Sequence, residues 1–352
     1  MPQVVLVTGV SRYIGGRFAR RLTADGSVQR VIGVDVVAPS HDIGRAEFVR
    51  ADIRNPIIGR IIEDAGVDTV VHLNVIATPV NAGGRASQKE INVIGTMQLL
   101  AACQRSATVE RLVVKSSGAV YGATARDPAM FTEDMAARVL PTRGFGKDSV
   151  EVEGYVRGFS RRRPDIDISM LRMANVIGPG IRTALTDYFR MPVLPLPLGY
   201  DPRLMFLHED DAVEALMTAA TGPGCGIVNV AGDGVVTLAQ AAAMVRRPVL
   251  PVPLAVTGPL GGVMRRSGVA DFSPDQLAYL AFGRGMDTQR MREVLRFDPR
   301  FDTRRTVEDF AASVPPVVPG LGTAEDIVTL GLGALGERLG RVIESSGGGS
   351  RR

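Results

Sequence analysis

The sequence predicts an α/β protein built on a doubly wound parallel sheet, with a smaller interleaved C-terminal part and a C-terminal helical tail. Short runs of β-branched and aliphatic residues alternate with segments of helical periodicity across residues 4–171, as in a parallel sheet with helices on both faces. The first of these runs leads through a glycine-containing turn directly into a helix. Two later segments, 226–230 and 238–245, are a strand and a helix that return to complete the sheet.

The first predicted unit, residues 4–22, is a strand, a turn and a helix. Gly9 would form the tight turn, and Gly15 would let the helix pack closely against the strand. The helix N-terminus would face a pyrophosphate with unpaired N–H groups and a partial positive charge. The middle position of this fingerprint, where glycine is usual, is Arg12. Its side chain either obstructs the pyrophosphate and opens the loop, or lays its guanidinium on a phosphate.

A second strand, at 31–34, ends in Asp35, which follows Gly15 by 20 residues. An acidic residue at about this spacing hydrogen-bonds the adenosine ribose hydroxyls in dinucleotide-binding folds. Because a carboxylate repels a 2′-phosphate, Asp35 predicts NAD rather than NADP as the cofactor. The alternative is that Asp35 merely ends a strand.

Six further segments follow in a recognisable order: 51–53, 70–75, 92–96, 116–122, 171–179 and 206–211. With the fingerprint, they make residues 4–310 resemble the extended short-chain dehydrogenase/reductase family, the NAD-dependent epimerases and dehydratases similar to UDP-glucose 4-epimerase. The resemblance implies a Rossmann-like fold, NAD as cofactor and a nucleotide-sugar or related hydroxylated substrate. It places the catalytic serine at Ser117 and a substrate-contacting amide at Asn175. The cofactor-binding positions that it implies are Gly9, Arg12, Tyr13, Ile14, Gly15, Asp35, Asp52, Ile53, Leu73, Asn74, Val75 and Asn92.

The catalytic helix of this family carries Tyr-x-x-x-Lys, followed four residues later by Glu. Here Glu153 sets the register, so Phe145 occupies the Tyr position and Ser149 the Lys position. Residues i and i+4 lie on the same face of a helix, so in this family the Lys ammonium lies close enough to lower the pKa of the Tyr hydroxyl. That hydroxyl acts as the general acid or base. Phe has no proton to give and Ser carries no charge, so the usual pair is absent.

No second Tyr-x-x-x-Lys replaces this pair. The chain has three lysines, Lys89, Lys115 and Lys147, and each is preceded four positions earlier by arginine. Tyr121 is a speculative substitute acid, and Ser117 without a basic neighbour is only a hydrogen-bond donor. Two hypotheses therefore stay open: an enzyme with a rearranged acid and base, or a redox-silent protein that binds NAD as a structural element or a signal.

The composition is typical of a soluble α/β protein. Hydrophobic residues make up 45% of the chain, and a net charge of +4 from 41 basic and 37 acidic residues, with no basic block, indicates no nucleic-acid module. Two cysteines, at no metal-like spacing, predict neither a disulfide framework nor a metal site. The chain starts in its first strand and its apolar runs are too short to span a bilayer, so we expect a cytoplasmic protein.

The domain organisation follows from the pattern and the resemblance. An NAD-binding domain is predicted at 1–175, to which residues 209–245 return. Residues 176–208 and 246–310 are predicted to form the substrate-side part, whose Pro- and Gly-rich loops either wall a substrate cleft or are irregular surface loops. Residues 311–322 are expected to be a linker.

An amphipathic tail helix is predicted at 323–344, before a disordered end at 345–352. Five apolar residues recur at alternating spacings of four and three, as in a coiled-coil seam: Val328, Leu332, Leu335, Leu339 and Val342. Four glycines make this helix marginal on its own, so it needs another surface on which to bury its apolar stripe. The candidates are a second copy in a homo-oligomer, a membrane surface contacted peripherally, and the chain's own domain.

Overall fold

The computed structural model describes residues 2–77, 82–254 and 274–315. Thirteen strands occur in these ranges: β1 (Val4–Thr8), β2 (Arg30–Asp35), β3 (Glu47–Arg50), β4 (Thr69–His72), β5 (Arg111–Ser117), β6 (Asp167–Met173), β7 (Asn175–Ile177), β8 (Leu194–Pro197), β9 (Arg203–Leu204), β10 (Phe206–His208), β11 (Gly226–Val230), β12 (Val236–Thr237) and β13 (Val249–Val252). Seven of them form a central sheet in the order β11-β6-β5-β4-β1-β2-β3. All neighbouring pairs in this sheet are parallel.

Eleven helices accompany the strands in the described ranges: α1 (Tyr13–Thr23), α2 (Ile57–Asp64), α3 (Arg85–Lys89), α4 (Thr96–Arg105), α5 (Gly144–Arg162), α6 (Ala184–Phe189), α7 (Glu209–Thr221), α8 (Leu238–Met244), α9 (Pro274–Phe282), α10 (Gln289–Glu293) and α11 (Thr303–Ala312). A π-helical segment, Glu90–Gly95, joins α3 to α4. A short 3₁₀ turn, Gly118–Tyr121, follows β5.

Helices cover the central sheet on both faces, because successive residues of each strand point to opposite sides. On one face, Val7 of β1 packs in a buried cluster with Phe18 of α1. On the other face, Leu6 belongs to a cluster with Ile58 of α2 and Val152 of α5. This arrangement confirms the predicted doubly wound α/β fold.

A smaller part of the molecule is built from three two-stranded pairs outside the central sheet: β7 with β10, β9 with β12, and β8 with β13. A third apolar cluster fills it and includes Phe189 of α6, Phe206 of β10 and Phe310 of α11. Along the chain these elements are interrupted by α7, which packs on the main sheet, and by β11, which is one of its strands. The smaller part is therefore interleaved in sequence, and its bounds at 176–208 and 246–310 stay predictions.

The strand order reverses beside β1, since β2 and β3 extend from one side of it while β4 lies on its other side. In open α/β sheets such a reversal leaves a crevice at the carboxyl ends of the strands. Gly9 follows β1, Leu73 follows β4 and Ser117 ends β5. The topology therefore brings to one edge residues that are far apart in sequence.

The C-terminal predictions fall largely outside this structure. Helix α11 reaches Ala312, and residues from 316 onward lie outside the described ranges. The linker predicted at 311–322 is thus described only in part, and the tail helix at 323–344 and the end at 345–352 are not described. Within the described ranges, none of the helices has the length and apolarity that crossing a bilayer requires.

Candidate functional site

The turn between β1 and α1 requires glycine at two positions. Gly9 has φ +80°, and a Cβ there would lie 3.0 Å from the backbone nitrogen of Asn74. A Cβ on Gly15 would lie 2.1 Å from the carbonyl oxygen of Gly9, so any side chain would push the helix off the turn. The close approach that the sequence predicted for the two glycines is present. It leaves the start of α1 open toward the carboxyl edge of the sheet.

Arg12 stands immediately before α1, with an extended backbone (φ −86°, ψ 150°). Its side chain is half-buried and lines the cavity described below. Burial lowers the pKa of the guanidinium, and the nearby Asp35 carboxylate acts in the opposite sense. Arg12 is therefore directed into the crevice, where it can meet an anionic ligand.

Asp35 lies against the same turn and is 4% exposed. Its Oδ2 accepts a hydrogen bond from Ser11 N at 3.1 Å, and its Oδ1 accepts from Val36 N at 2.8 Å. The next predicted position, Asp52, pairs instead with Arg54 at 2.6 Å. The carboxylate that was predicted to select the cofactor is thus fixed beside the glycine turn.

The loop after β4 is held by its neighbours on both sides. Thr8 Oγ1 accepts hydrogen bonds from Leu73 N at 3.2 Å and Asn74 N at 3.4 Å. Asn92 accepts from Ile76 N at 2.7 Å and donates to Ile76 O at 2.9 Å, which is a bracing role. Asn74 Oδ1 is buried and has no hydrogen-bond partner in the described part of the chain. The turn at Gly9 and Gly15 forms a glycine cradle, and the buried Asn74 Oδ1 beside it lacks a hydrogen-bond partner. This combination fits a polar, dinucleotide-like group.

A cavity of about 510 Å³ extends from this turn along the carboxyl ends of the strands to the start of α5 and to α9. Nine of the positions named from the sequence line it: Arg12, Tyr13, Ile14, Gly15, Leu73, Val75, Ser117, Phe145 and Asn175. The remaining eight do not line it: Gly9, Asp35, Asp52, Ile53, Asn74, Asn92, Tyr121 and Ser149.

Phe145 and Ser149, to which the resemblance assigns the catalytic pair, both lie on α5. Phe145 lines the cavity, whereas Ser149 is only 2% exposed and its hydroxyl donates to Phe145 O at 2.9 Å. Lys147 lies between them in sequence but is 42% exposed and pairs with Glu151 at 3.6 Å. Helix α5 therefore offers the cavity an aromatic ring, with neither a hydroxyl nor a cation at these positions.

Ser117 and Tyr121 occupy different environments. Ser117 lines the cavity, and its Oγ accepts a hydrogen bond from Ala119 N at 3.1 Å. Tyr121 is 1% exposed, and its hydroxyl donates to Asn229 Oδ1 and accepts from Arg172 Nη1, both at 2.8 Å. Burial raises the pKa of the Tyr121 hydroxyl. Its hydroxyl is thus committed to a buried network, and its part in catalysis stays a prediction.

Sequence reasoning missed several polar residues at the cavity, and Lys115 is the foremost of them. Its Nζ donates to Val75 O at 3.3 Å, and burial, aided by the charge of Arg12, lowers the pKa of its ammonium to about 8. The period of two along β5 places Lys115 on the same face as Ser117, which is the sequence signal that was available. Asp275 of α9 had no such signal; its Oδ2 accepts from Gly146 N at 3.1 Å, and burial raises the pKa of its carboxyl.

The lining of the cavity is strongly cationic. Among the described residues it has five cationic side chains and one carboxylate: Arg12, Lys115, Arg143, Arg182, Arg284 and Asp275. Arg284 donates through Nε to Gly122 O at 2.8 Å, and Arg182 pairs with Asp187 at 2.7 Å. Such a lining attracts anionic ligands and disfavours cationic ones.

Known proteins share both the sequence pattern and the fold. The NAD dependent epimerase/dehydratase family matches residues 5–231. Uncharacterized protein Rv0501 of Mycobacterium tuberculosis is 46% identical over 313 residues, which cover 88% of this chain and 83% of that protein. UDP-glucose 4-epimerase of Mycolicibacterium smegmatis is 26% identical over 314 residues, which cover 84% of this chain and 93% of that enzyme.

Two solved structures have the same fold. MoeE5 in complex with UDP-glucuronic acid and NAD matches with a TM-score of 0.68 and 22% identity over 88% of this chain and 98% of its own. UDP-glucose 4-epimerase from Thermotoga maritima with UDP-glucose matches with a TM-score of 0.68 and 20% identity, with the same coverage. Since the family match spans well over half of the sequence and the glycine turn is formed as that family requires, the chain belongs to the NAD dependent epimerase/dehydratase family.

Proposed function

We propose that this protein binds NAD(H) at the glycine turn and takes a nucleotide-sugar or related hydroxylated substrate into the adjoining cavity. The cradle formed by Gly9 and Gly15, the fixed carboxylate of Asp35 and the unsatisfied Asn74 Oδ1 support the cofactor. The cationic lining supports a substrate that carries phosphates. Relatives that bind UDP-sugars, such as the UDP-glucose 4-epimerase of Thermotoga maritima, support the same substrate class.

The proposed chemistry is limited by what lines the cavity. Bound NAD supplies hydride acceptance and return. This chain supplies the Ser117 hydroxyl, which can hydrogen-bond a substrate oxygen, and Asn175, which can orient the substrate. The cationic lining beside the glycine turn carries the proposal, whereas Phe145 limits the chemistry, because its ring lines the cavity where the family resemblance places a proton-donating Tyr. Loss of a positioned acid or base lowers rates by about 10²–10⁴-fold, and losing both members of a pair is not additive.

A turnover assay tests how far Phe145 limits the chemistry. The protein with NAD and either UDP-glucose or UDP-glucuronic acid should show no change in absorbance at 340 nm and no new sugar product above background. Phe145→Ala serves as the matched variant, since it changes the cavity wall without adding a proton donor. Robust turnover that is insensitive to Phe145→Ala would show that another acid and base act here, and Tyr121 would be the first residue to replace.

A second candidate function is a redox-silent NAD-binding protein with a structural or regulatory role. The engagement of Ser149 with the backbone of its own helix favours it, because that position offers the nicotinamide ribose no cation. Analysis of the purified protein separates the two functions. Co-purified NAD with no calorimetric binding of UDP-glucose or UDP-glucuronic acid supports the silent role, whereas NAD together with binding of either UDP-sugar supports the first function.

A further inference from the structure

Lys115 occupies an unusual position for a lysine, within the last three residues of β5, a central strand of the sheet. It shares a strand face with Val113, which packs in the cluster of Phe18 on the α1 side, so its side chain is directed toward the glycine turn. It lines the cavity and is only partly exposed there. Its one hydrogen bond within the described ranges is to the backbone carbonyl of Val75, at 3.3 Å.

Two of the other lining cations, Arg284 and Arg182, have compensating contacts within the protein. Arg284 donates to Gly122 O and lies over the ring of Tyr279, and Arg182 pairs with Asp187. No ion pair joins Lys115 to a carboxylate anywhere in the described part of the chain, and its charged neighbour, Arg12, has the same sign. An ammonium in such a place is costly to bury unless an anion accompanies it.

The chemistry of that anion follows from the two cations. A lysine acts as a compact point charge and an arginine as a planar fork, and both bind phosphate oxygens well. We propose that Lys115 and Arg12, which line the cavity together, form a phosphate clamp that holds a phosphate group of a bound dinucleotide or nucleotide-sugar. The clamp rests on the proposed function, which names both possible sources of this phosphate.

Proton linkage gives the clamp a readout that is independent of turnover. At pH 8, the pKa of the Lys115 ammonium, about 8, leaves a substantial fraction of the amine neutral. A phosphate beside the amine favours its charged form, so binding should take up protons. Calorimetric titration in two buffers of different ionisation enthalpy measures this uptake directly.

The experiment uses the full chain and four probes: NAD, ADP-ribose, UDP-glucose and inorganic pyrophosphate. Wild type should take up protons at pH 8, Lys115→Met should bind at least tenfold more weakly without uptake, and Lys115→Arg should keep the affinity without uptake. Lys147→Met, on the surface, is the control and should behave as wild type. Circular dichroism confirms that each variant is folded.

Each outcome bears on the clamp. Uptake that depends on Lys115 with NAD and ADP-ribose assigns the phosphate to the dinucleotide, and uptake with UDP-glucose assigns it to the substrate. Lys115-dependent binding of pyrophosphate alone supports the clamp while the proposed function fails. If Lys115→Met binds NAD and UDP-glucose as wild type does, the clamp is wrong and the proposed function stands. If wild type binds none of the four probes, both are wrong.

Discussion

Asp35 is the residue that we expect to decide which dinucleotide the protein prefers. Its carboxylate is 4% exposed and accepts hydrogen bonds from Ser11 N and Val36 N, which fix its position. A 2′-phosphate nearby would therefore be repelled by a negative charge that cannot move aside. We expect calorimetric titration to show tighter binding of NAD(H) than of NADP(H), and Asp35→Ser to reduce the difference. Equal or tighter NADP binding by wild type would contradict this role and indicate that Arg12 grips the 2′-phosphate.

Lys115 also makes stability depend on pH in a direction that can be checked. The pKa of its ammonium is about 8 in the folded chain and 10.5 in a free lysine, so between these values the unfolded chain holds more protons. The free energy of unfolding should therefore rise with pH from about 8 to 10.5, with a slope of at most ~1.4 kcal/mol per pH unit. Below pH 8 the full cost of the buried charge is present.

Lys115→Met should consequently be more stable than wild type at pH 7 in urea unfolding, and its advantage should shrink as the pH approaches 10.5. Lys147→Met provides the control, because Lys147 is exposed and paired with Glu151, and should show no such trend. A Lys115→Met variant that is less stable at pH 7 would mean that the ammonium has a compensating partner.

Single residues were predicted unevenly from the sequence. Gly9, Gly15 and Asp35 carry local conformational and charge requirements, so a motif reveals them. Lys115 belongs to no motif: the period of two along β5 places it on the face of Ser117, but only the tertiary fold buries it beside Arg12. A spacing rule for helices excluded Lys115 from the Tyr-x-x-x-Lys motif correctly but gave no information about a lysine on a strand.

At the scale of elements, α5 is fixed to the sheet by a buried ion pair. Glu153 is 1% exposed and pairs with Arg172 of β6 at 2.7 Å, and it accepts a hydrogen bond from Ser116 Oγ of β5 at 2.7 Å. Removal of one partner of a buried pair leaves an uncompensated charge and costs about 3–5 kcal/mol. We therefore expect Arg172→Met to lower the free energy of unfolding by up to this amount, since Arg157 still pairs with Glu153 in the variant. Urea denaturation measures the loss.

Arg157 offers a matched control for that substitution. It pairs with the same Glu153 carboxylate at 2.9 Å but is 44% exposed. Exposed pairs contribute about 0–1 kcal/mol, so Arg157→Met should have a small effect. Similar losses in the two variants would show that the Arg172 contacts do not hold α5.

The strands and helices were largely predictable from the sequence, whereas the tertiary contacts between them were not. Alternation of apolar runs and helical periodicity predicted the parallel sheet, and β11 joins that sheet as expected for segment 226–230. Segment 238–245 forms the expected helix, α8, but α8 packs in the apolar cluster of the smaller part rather than on the main sheet. Helix α9 illustrates the limit. Its contact with α5 through Asp275 and Gly146 joins residues 129 positions apart and leaves no periodic trace in either segment.

At the scale of the whole molecule, the described fold ends with α11 and the residues just after it. Phe310 is fully buried, and Arg247 donates to Pro315 O at 2.6 Å, so the chain up to Pro315 belongs to the folded core. The seam predicted at 323–344 lies beyond it. We expect truncation after Pro315 to preserve folding and NAD binding but to change the oligomeric state or liposome recovery, measured by light scattering and flotation. A core that unfolds on truncation would show that the tail packs on its own domain.

The pairing of β6 with β11 has a consequence for synthesis on the ribosome. Strand β6 ends at Met173, but its outer neighbour is not made until Val230, so a nascent chain exposes the whole hydrogen-bonding edge of β6. At typical translation rates this interval lasts roughly 3–11 s, long enough for the edge to recruit another nascent chain. A chaperone that binds apolar strands is therefore expected to act on this protein before residue 230 emerges, and N-terminal fragments that stop near residue 175 should aggregate.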